Sequence, residues 1–138
     1  MNREERSLQA LIAILRTSST LEQILRKDVS CYGLNLTEFS VLELLYHKGR
    51  QTTQTIKNKI LIASSSTTYV VDQLEKKGHV RREVCQEDKR VTYVEMTDPG
   101  KELMATIFPL HAKKIEAHFE KLTEEELLQL KELLKKVR

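Results

Sequence analysis

Tryptophan is absent from this chain, and 138 residues hold only two cysteines, two prolines and four glycines. With aromatics at 5% and turn residues this scarce, the core is expected to be aliphatic and mostly helical, within one domain by length. Cys31 and Cys85 stand far apart with no C-x-x-C spacing. They are expected to be free thiols and not a structural bridge or a zinc pair. No glycine-rich phosphate loop is present and neither cysteine has the surroundings of a nucleophile, so neither an enzyme nor a cofactor is expected. The histidines at 47, 79, 111 and 118 are scattered. His111 and His118 share a helical face, but two turns separate them by ~10.5 Å, too far for one ion, and no metal site is expected. No apolar run approaches the ~20 residues needed to span a bilayer. The opening "MNREERSLQA" is charged where a secretory leader would be apolar. The expectation is a cytoplasmic protein with no membrane partner.

What is present is periodic. Leu8, Leu11, Ile12 and Leu15 recur at i, i+3, i+4 and i+7, and Leu21, Ile24 and Leu25 continue the stripe, so residues 5–28 read as one long amphipathic helix. It carries more apolar face than a small lobe needs. "SCYGLNL" breaks it, and Thr37 is placed to cap a second helix through Phe39, Leu42, Leu45 and Tyr46 that closes at Gly49. A short helix is expected from Gln54 to Lys59, then another from Ser64 to Lys77. In the latter, Thr67, Val70, Val71 and Leu74 form the buried stripe, which leaves Ser65, Thr68, Tyr69, Asp72 and Lys76 on the opposite side. Gly78 is its stop.

"HVRREV" and "RVTYVEM" alternate as a hairpin around the loop "CQEDK". Asp98 then caps a helix with Pro99 in its first turn, and Pro109 is expected to kink or divide that helix. "TEEE" from Thr123 to Glu126 is a capping box for a last helix with Leu127, Leu130, Leu134 and Val137 inward.

Charge is uneven along this frame. The chain carries a net +3, but residues 44–90 hold ten Lys and Arg against five Asp and Glu, so the remainder is negative. A basic middle third is the footprint of a surface for a polyanion. Helix, short helix, turn, helix and hairpin follow in the order of a winged helix-turn-helix, whose second helix fits a major groove about 12 Å wide.

"SSSTTYVVDQLEKKGHVRR" followed by "EDKRVTYVEMTDPGKEL" resembles the multiple antibiotic resistance regulator (MarR) family. The family pattern L-E-x-x-G-x-[VI]-x-R falls here on Leu74, Glu75, Gly78, Val80 and Arg82. Its D-x-R falls on Asp88 and Arg90, and its strand ending in T-x-x-G on Val94, Met96, Thr97 and Gly100.

The resemblance implies a mainly α fold: a single MarR-like domain over 1–138, with a winged helix-turn-helix at about 36–97 and a two-stranded β wing. Dimerisation helices at about 5–28 and 98–138 would account for the excess apolar face. It implies a homodimeric regulator of transcription, a repressor on a pseudo-palindromic double-stranded DNA operator. Ser64, Ser65, Ser66, Thr68, Tyr69 and Lys76 would contact DNA from the helix, and Lys89 and Arg90 from the wing, with Asp88 supporting the wing. The family often has Arg where this chain has Tyr69, so base reading would lean on hydroxyls and favour A·T-rich sites.

Each assignment has a plainer alternative. The hydroxyl run is also what any helix start uses for caps, and Asp88 with Arg90 is also an ordinary solvated pair. A sequence-blind chromosome-binding protein and an interaction module without DNA binding are the competing functions. "YGLNLTEFSVLELLYHKG" and "TTYVVD" are similar to the branch of the family that responds to hydroquinones and quinones. That implies a small phenolic or quinone effector, with Tyr32, Phe39, Tyr46 and His47 as a candidate pocket. Core packing is the alternative for Phe39. Cys31 and Cys85 are the candidate redox sensors, with inert filling as theirs.

Overall fold

The computed structural model describes residues 1–60 and 66–138. The chain forms two compact units, Met1–Met104 and Ala105–Arg138.

In the first unit, α1 runs over Arg3–Ser30, capped by Asn2, whose side chain accepts from the Glu5 N–H at 2.8 Å. Leu8, Leu11, Ile12 and Leu15 along it are exposed, while Val29 near its end is fully buried. α2, Leu36–Lys48, begins differently from the expectation. Asn35 and not Thr37 is the cap: its side chain accepts from Glu38 N at 2.8 Å, and the Glu38 carboxylate accepts from Asn35 N at 3.0 Å. Asn35 has the extended backbone a cap requires, whereas Thr37 is already helical and buried.

α2 supplies Phe39, Val41, Leu42 and Leu45 to the core, and packs on α1, α3, α4 and β3. β1, Gln51–Thr52, precedes α3, Thr53–Lys59. The described part of α4 is Thr67–Lys76 with Ser66 as its cap, so the helix starts three residues later than Ser64. Its buried stripe is Val70, Val71 and Leu74, and Thr67 is only half-buried because it lies in the opening turn.

β2, Val80–Val84, and β3, Thr92–Met96, form the hairpin, with Val80 opposite Met96 and Arg82 opposite Val94. The sheet is three-stranded in the order β1-β3-β2, because Gln51 pairs with Val94 on the far side. Two residues are too few to show a period of two, which is why sequence patterning passed β1 over.

α5 spans Asp98–His118 and α6 spans Glu124–Val137. The cap of α5 is Thr97 and not Asp98: the Thr97 hydroxyl accepts from Gly100 N at 3.2 Å and donates to the Gly78 carbonyl at 2.6 Å. The helix passes through Pro109 undivided, at the loss of the hydrogen bond a proline cannot donate. The Thr123–Glu126 capping box of α6 is present. Leu127, Leu130, Leu134 and Val137 are exposed in the single chain and not inward, and no residue of α6 is buried.

Candidate nucleic-acid interface

α4 is amphipathic because its apolar residues fall on one side and its hydroxyl and charged residues on the other. The Ser66 hydroxyl accepts from Tyr69 N at 3.2 Å and thereby closes the first turn. Thr68, Tyr69 and Lys76 are exposed, and an open groove on this side is lined by Tyr69, Asp72, Gln73, Glu75 and Lys76. The positive end of the helix dipole lies at the same end as Ser66, where an anion is favoured.

The far end of α4 is anchored. Lys77 Nζ donates to Glu38 Oε1 at 2.9 Å and to the Gly33 carbonyl at 3.0 Å. Glu38 is a nearly buried carboxylate, 4% exposed, held by its own cap partner and by Lys77. Removing Lys77 would leave that charge underpaired inside the protein, a change that costs several kcal/mol in comparable cases (~3–5). Gly78 then turns the chain at φ 82°, a conformation that favours glycine, and His79 N donates back to the Leu74 carbonyl at 3.0 Å.

The hairpin loop is shaped by Asp88. Its Oδ1 accepts from Arg90 N at 3.1 Å and from Arg90 Nε at 3.0 Å, and its Oδ2 accepts from Arg90 Nη2 at 3.1 Å. The side-chain bonds from Arg90, then its backbone N–H, hold the Asp88 carboxyl below its ordinary value. Arg90 is nevertheless 90% exposed, since the pair forms at the tip, and Lys89 beside it is exposed. Below the tip, Arg81 and Glu95 pair across the strands at 2.8 Å, and Arg50 lies over the Tyr93 ring at 4.0 Å from its centre.

Sequence reasoning missed Arg82 as part of the site. Its guanidinium meets Asp72 at 2.7 Å, Glu75 at 2.8 Å and the Thr68 carbonyl at 3.0 Å, so it ties β2 to α4. Glu75 and Arg82 are both members of the L-E-x-x-G-x-[VI]-x-R pattern, and that spacing was the available signal.

Among the other assigned residues, Ser64 and Ser65 lie outside the described residues. Phe39 is 2% exposed and takes the core-packing alternative. Tyr46 and His47 are exposed with their rings edge to face at 5.2 Å, and the Tyr32 hydroxyl donates to Asp28 at 3.4 Å. Cys31 is exposed at the end of α1 and Cys85 is half-buried at the end of β2, both as free thiols.

A hydroxyl-capped helix packed against a hairpin with a cationic tip defines a winged helix-turn-helix DNA-binding protein. The chain belongs to the MarR family, whose pattern matches residues 34–92. It is 45% identical over 133 residues to the HTH-type transcriptional regulator MhqR of Bacillus subtilis, covering 96% of this chain and 92% of that protein. The fold is similar to that of Sco3205, a MarR family regulator from Streptomyces coelicolor solved in complex with DNA. There the TM-score is 0.84 at 27% identity, over 99% of this chain and 90% of that one. It is also similar to NadR in complex with 4-hydroxyphenylacetate, with a TM-score of 0.76 at 25% identity over 91% and 89% of the two chains. The protein is therefore a DNA-binding transcriptional regulator. No helix among the described residues is long and apolar enough to cross a membrane.

Proposed function

We propose that the protein is a homodimeric repressor that binds a pseudo-palindromic operator, the whole chain acting as one unit, and leaves the operator when a small phenolic or aromatic ligand is bound. The observation that carries this reading is that the hydroxyl-capped α4 and the hairpin tipped by Arg90 belong to one packed unit. Ser66, Thr68, Tyr69 and Lys76, with Ser64 and Ser65 ahead of them, enter the major groove. Lys89 and Arg90 enter the adjacent minor groove, where a narrow A·T-rich stretch concentrates negative potential, and Asp88 braces the loop. The exposed leucines of α1 and, separately, those of α6 support dimerisation, because monomers rarely leave such stripes in water. Regulation, and not catalysis, is the activity.

The test is a binding titration over fragments of promoter DNA at several salt concentrations. A preference for particular fragments is expected, with affinity falling log-linearly in salt as phosphate contacts require. Equal affinity for every fragment would make the protein a sequence-blind coat. Absence of salt-dependent binding would make it an interaction module.

The NadR complex with 4-hydroxyphenylacetate supports a phenolic effector. Tyr32, Tyr46 and His47 are the polar-tipped candidates for reversible binding, with Phe39 in the core. The competing trigger is electrophilic attack on Cys31 or Cys85, which only a quinone or oxidant could perform. Phenols and quinones added to the DNA complex of the wild type and of the Cys31→Ser/Cys85→Ser double variant separate the two. Response retained by the double variant is expected; complete loss would make the protein a thiol sensor.

A further inference from the structure

The face of α4 proposed to meet DNA carries two carboxylates. Asp72 and Glu75 line the same open groove as Tyr69, Gln73 and Lys76, and their side chains are 49% and 41% exposed. Unmasked, each would repel the phosphate backbone that the hydroxyls and Lys76 are placed to meet. Arg82 reaches them from the middle of β2. Its Nη1 lies 2.7 Å from Asp72 Oδ1 and donates to Glu75 Oε1 at 2.8 Å, while its backbone N–H donates to Glu75 Oε2 at 3.2 Å. Nη2 donates to the Thr68 carbonyl at 3.0 Å. Residues 68, 72 and 75 stand at i, i+4 and i+7, so a single guanidinium lies along one stripe of the helix. A planar fork with donors at fixed angles suits acceptors spread along two turns of helix.

Arg82 also differs from the cations proposed to touch phosphate. Its side chain is 24% exposed, against 90% for Arg90. Its Nη1 and Nη2 already meet protein oxygens.

We infer that Arg82 is a positioning residue for DNA binding: it masks Asp72 and Glu75 on the recognition helix, leaving one net negative charge where there would be two, and is not itself a phosphate contact. This rests on the reading of α4 as the DNA-facing helix. Its consequence is an unusual pattern of variants. Removing a positive charge weakens binding, and removing two negative charges from the same cluster restores it.

The experiment measures affinity for a mixed-sequence DNA duplex several helical turns long, at low salt, for the wild type, R82Q, D72N/E75Q and the triple variant, with thermal melting to confirm folding. R82Q is expected to bind on the order of tenfold more weakly, because two unmasked carboxylates now face the backbone. D72N/E75Q is expected to bind as well as the wild type or better, and the triple variant to recover most of the R82Q loss. A triple variant as weak as R82Q, with a salt slope lower by about one, would make Arg82 a phosphate contact and overturn the inference. Weakened binding by D72N/E75Q would also overturn it, since Arg82 would then act only as a mechanical clamp needing its anchors. Should R82Q not fold, D72N/E75Q decides alone, because Arg82 is intact in it. A wild type without salt-dependent binding removes the DNA-binding reading and the inference with it; normal wild-type binding with an unrescued R82Q removes the inference alone.

Discussion

Arg90 combines high exposure with a carboxylate partner, so it is presented outward and kept in one orientation. Arg90→Ala is expected to weaken DNA binding by about 1–3 kcal/mol without changing the oligomeric state, and unchanged affinity would take the wing out of the mechanism. Gly100 is required for a different reason. A Cβ built there would stand 2.1 Å from the His79 carbonyl oxygen, which is backbone and cannot swing aside. Gly100→Ala should lower stability by roughly 1–3 kcal/mol, seen as a reduced melting temperature, as overpacking does elsewhere. His79 has a buried Nδ1 with no hydrogen-bond partner among the described residues, and burial, then the neighbouring Lys77 charge, push its pKa below 6.5, with Glu38 opposing. Its folded form therefore disfavours the proton. Stability is full above pH 6.5 and declines as pH falls below it toward the depressed folded value. Melting curves taken from about pH 7 to about pH 5 should show this decline in the wild type and a flatter profile in His79→Gln. The contribution of Asp88 is distinct, because its depressed pKa places the loss below 3.8.

Among the elements, α4 is where hydrogen bonding and recognition share residues. The Ser66 hydroxyl commits one lone pair to its cap bond, which fixes its orientation and leaves its proton and second lone pair, whereas the side chains of Thr68 and Tyr69 are exposed. Sequence preference should therefore rest on Thr68 and Tyr69 more than on Ser66. Replacing both by Ala is expected to leave non-specific affinity nearly unchanged and to flatten discrimination between fragments, as removal of base contacts does. If discrimination survives the double change, another side of α4 faces the bases. Arg82 belongs to this scale too, since it joins an element made from local periodicity to one made from pairing across the sheet.

At the scale of the whole molecule, the exposed apolar stripes matter most. Leu8, Leu11, Ile12 and Leu15 of α1 are 47% to 59% exposed, values suited to an interface and costly in a monomer. Leu127, Leu130 and Leu134 make a similar stripe on α6. On the proposed homodimer, Leu11→Glu combined with Leu130→Glu should give a monomer in sedimentation and abolish preference for a two-half-site fragment, because one protomer reads only one half-site. A dimer that survives both charges would place the interface elsewhere.

The sequence by itself determined the helices of this protein and most of their ends. Apolar spacing, the Thr123 box and the glycines at 49 and 78 act within one or two turns of chain, so local order is enough to encode them. The alternation in "RVTYVEM" likewise marked β3, and the D-x-R pair marked the wing tip. Choosing between neighbouring cap candidates required the folded backbone, since Asn35 and Thr37, or Thr97 and Asp98, have equivalent chemistry until one is seen to precede the helix and the other to lie within it. What only the tertiary structure decided lies between distant segments: the two-residue β1 against β3, Lys77 on Glu38 across 39 positions, the approach of Gly100 to His79, and Arg82 on three oxygens of α4. These contacts follow from how whole elements stack, and no repeat in the local sequence records which charge a folded neighbour will bring within reach.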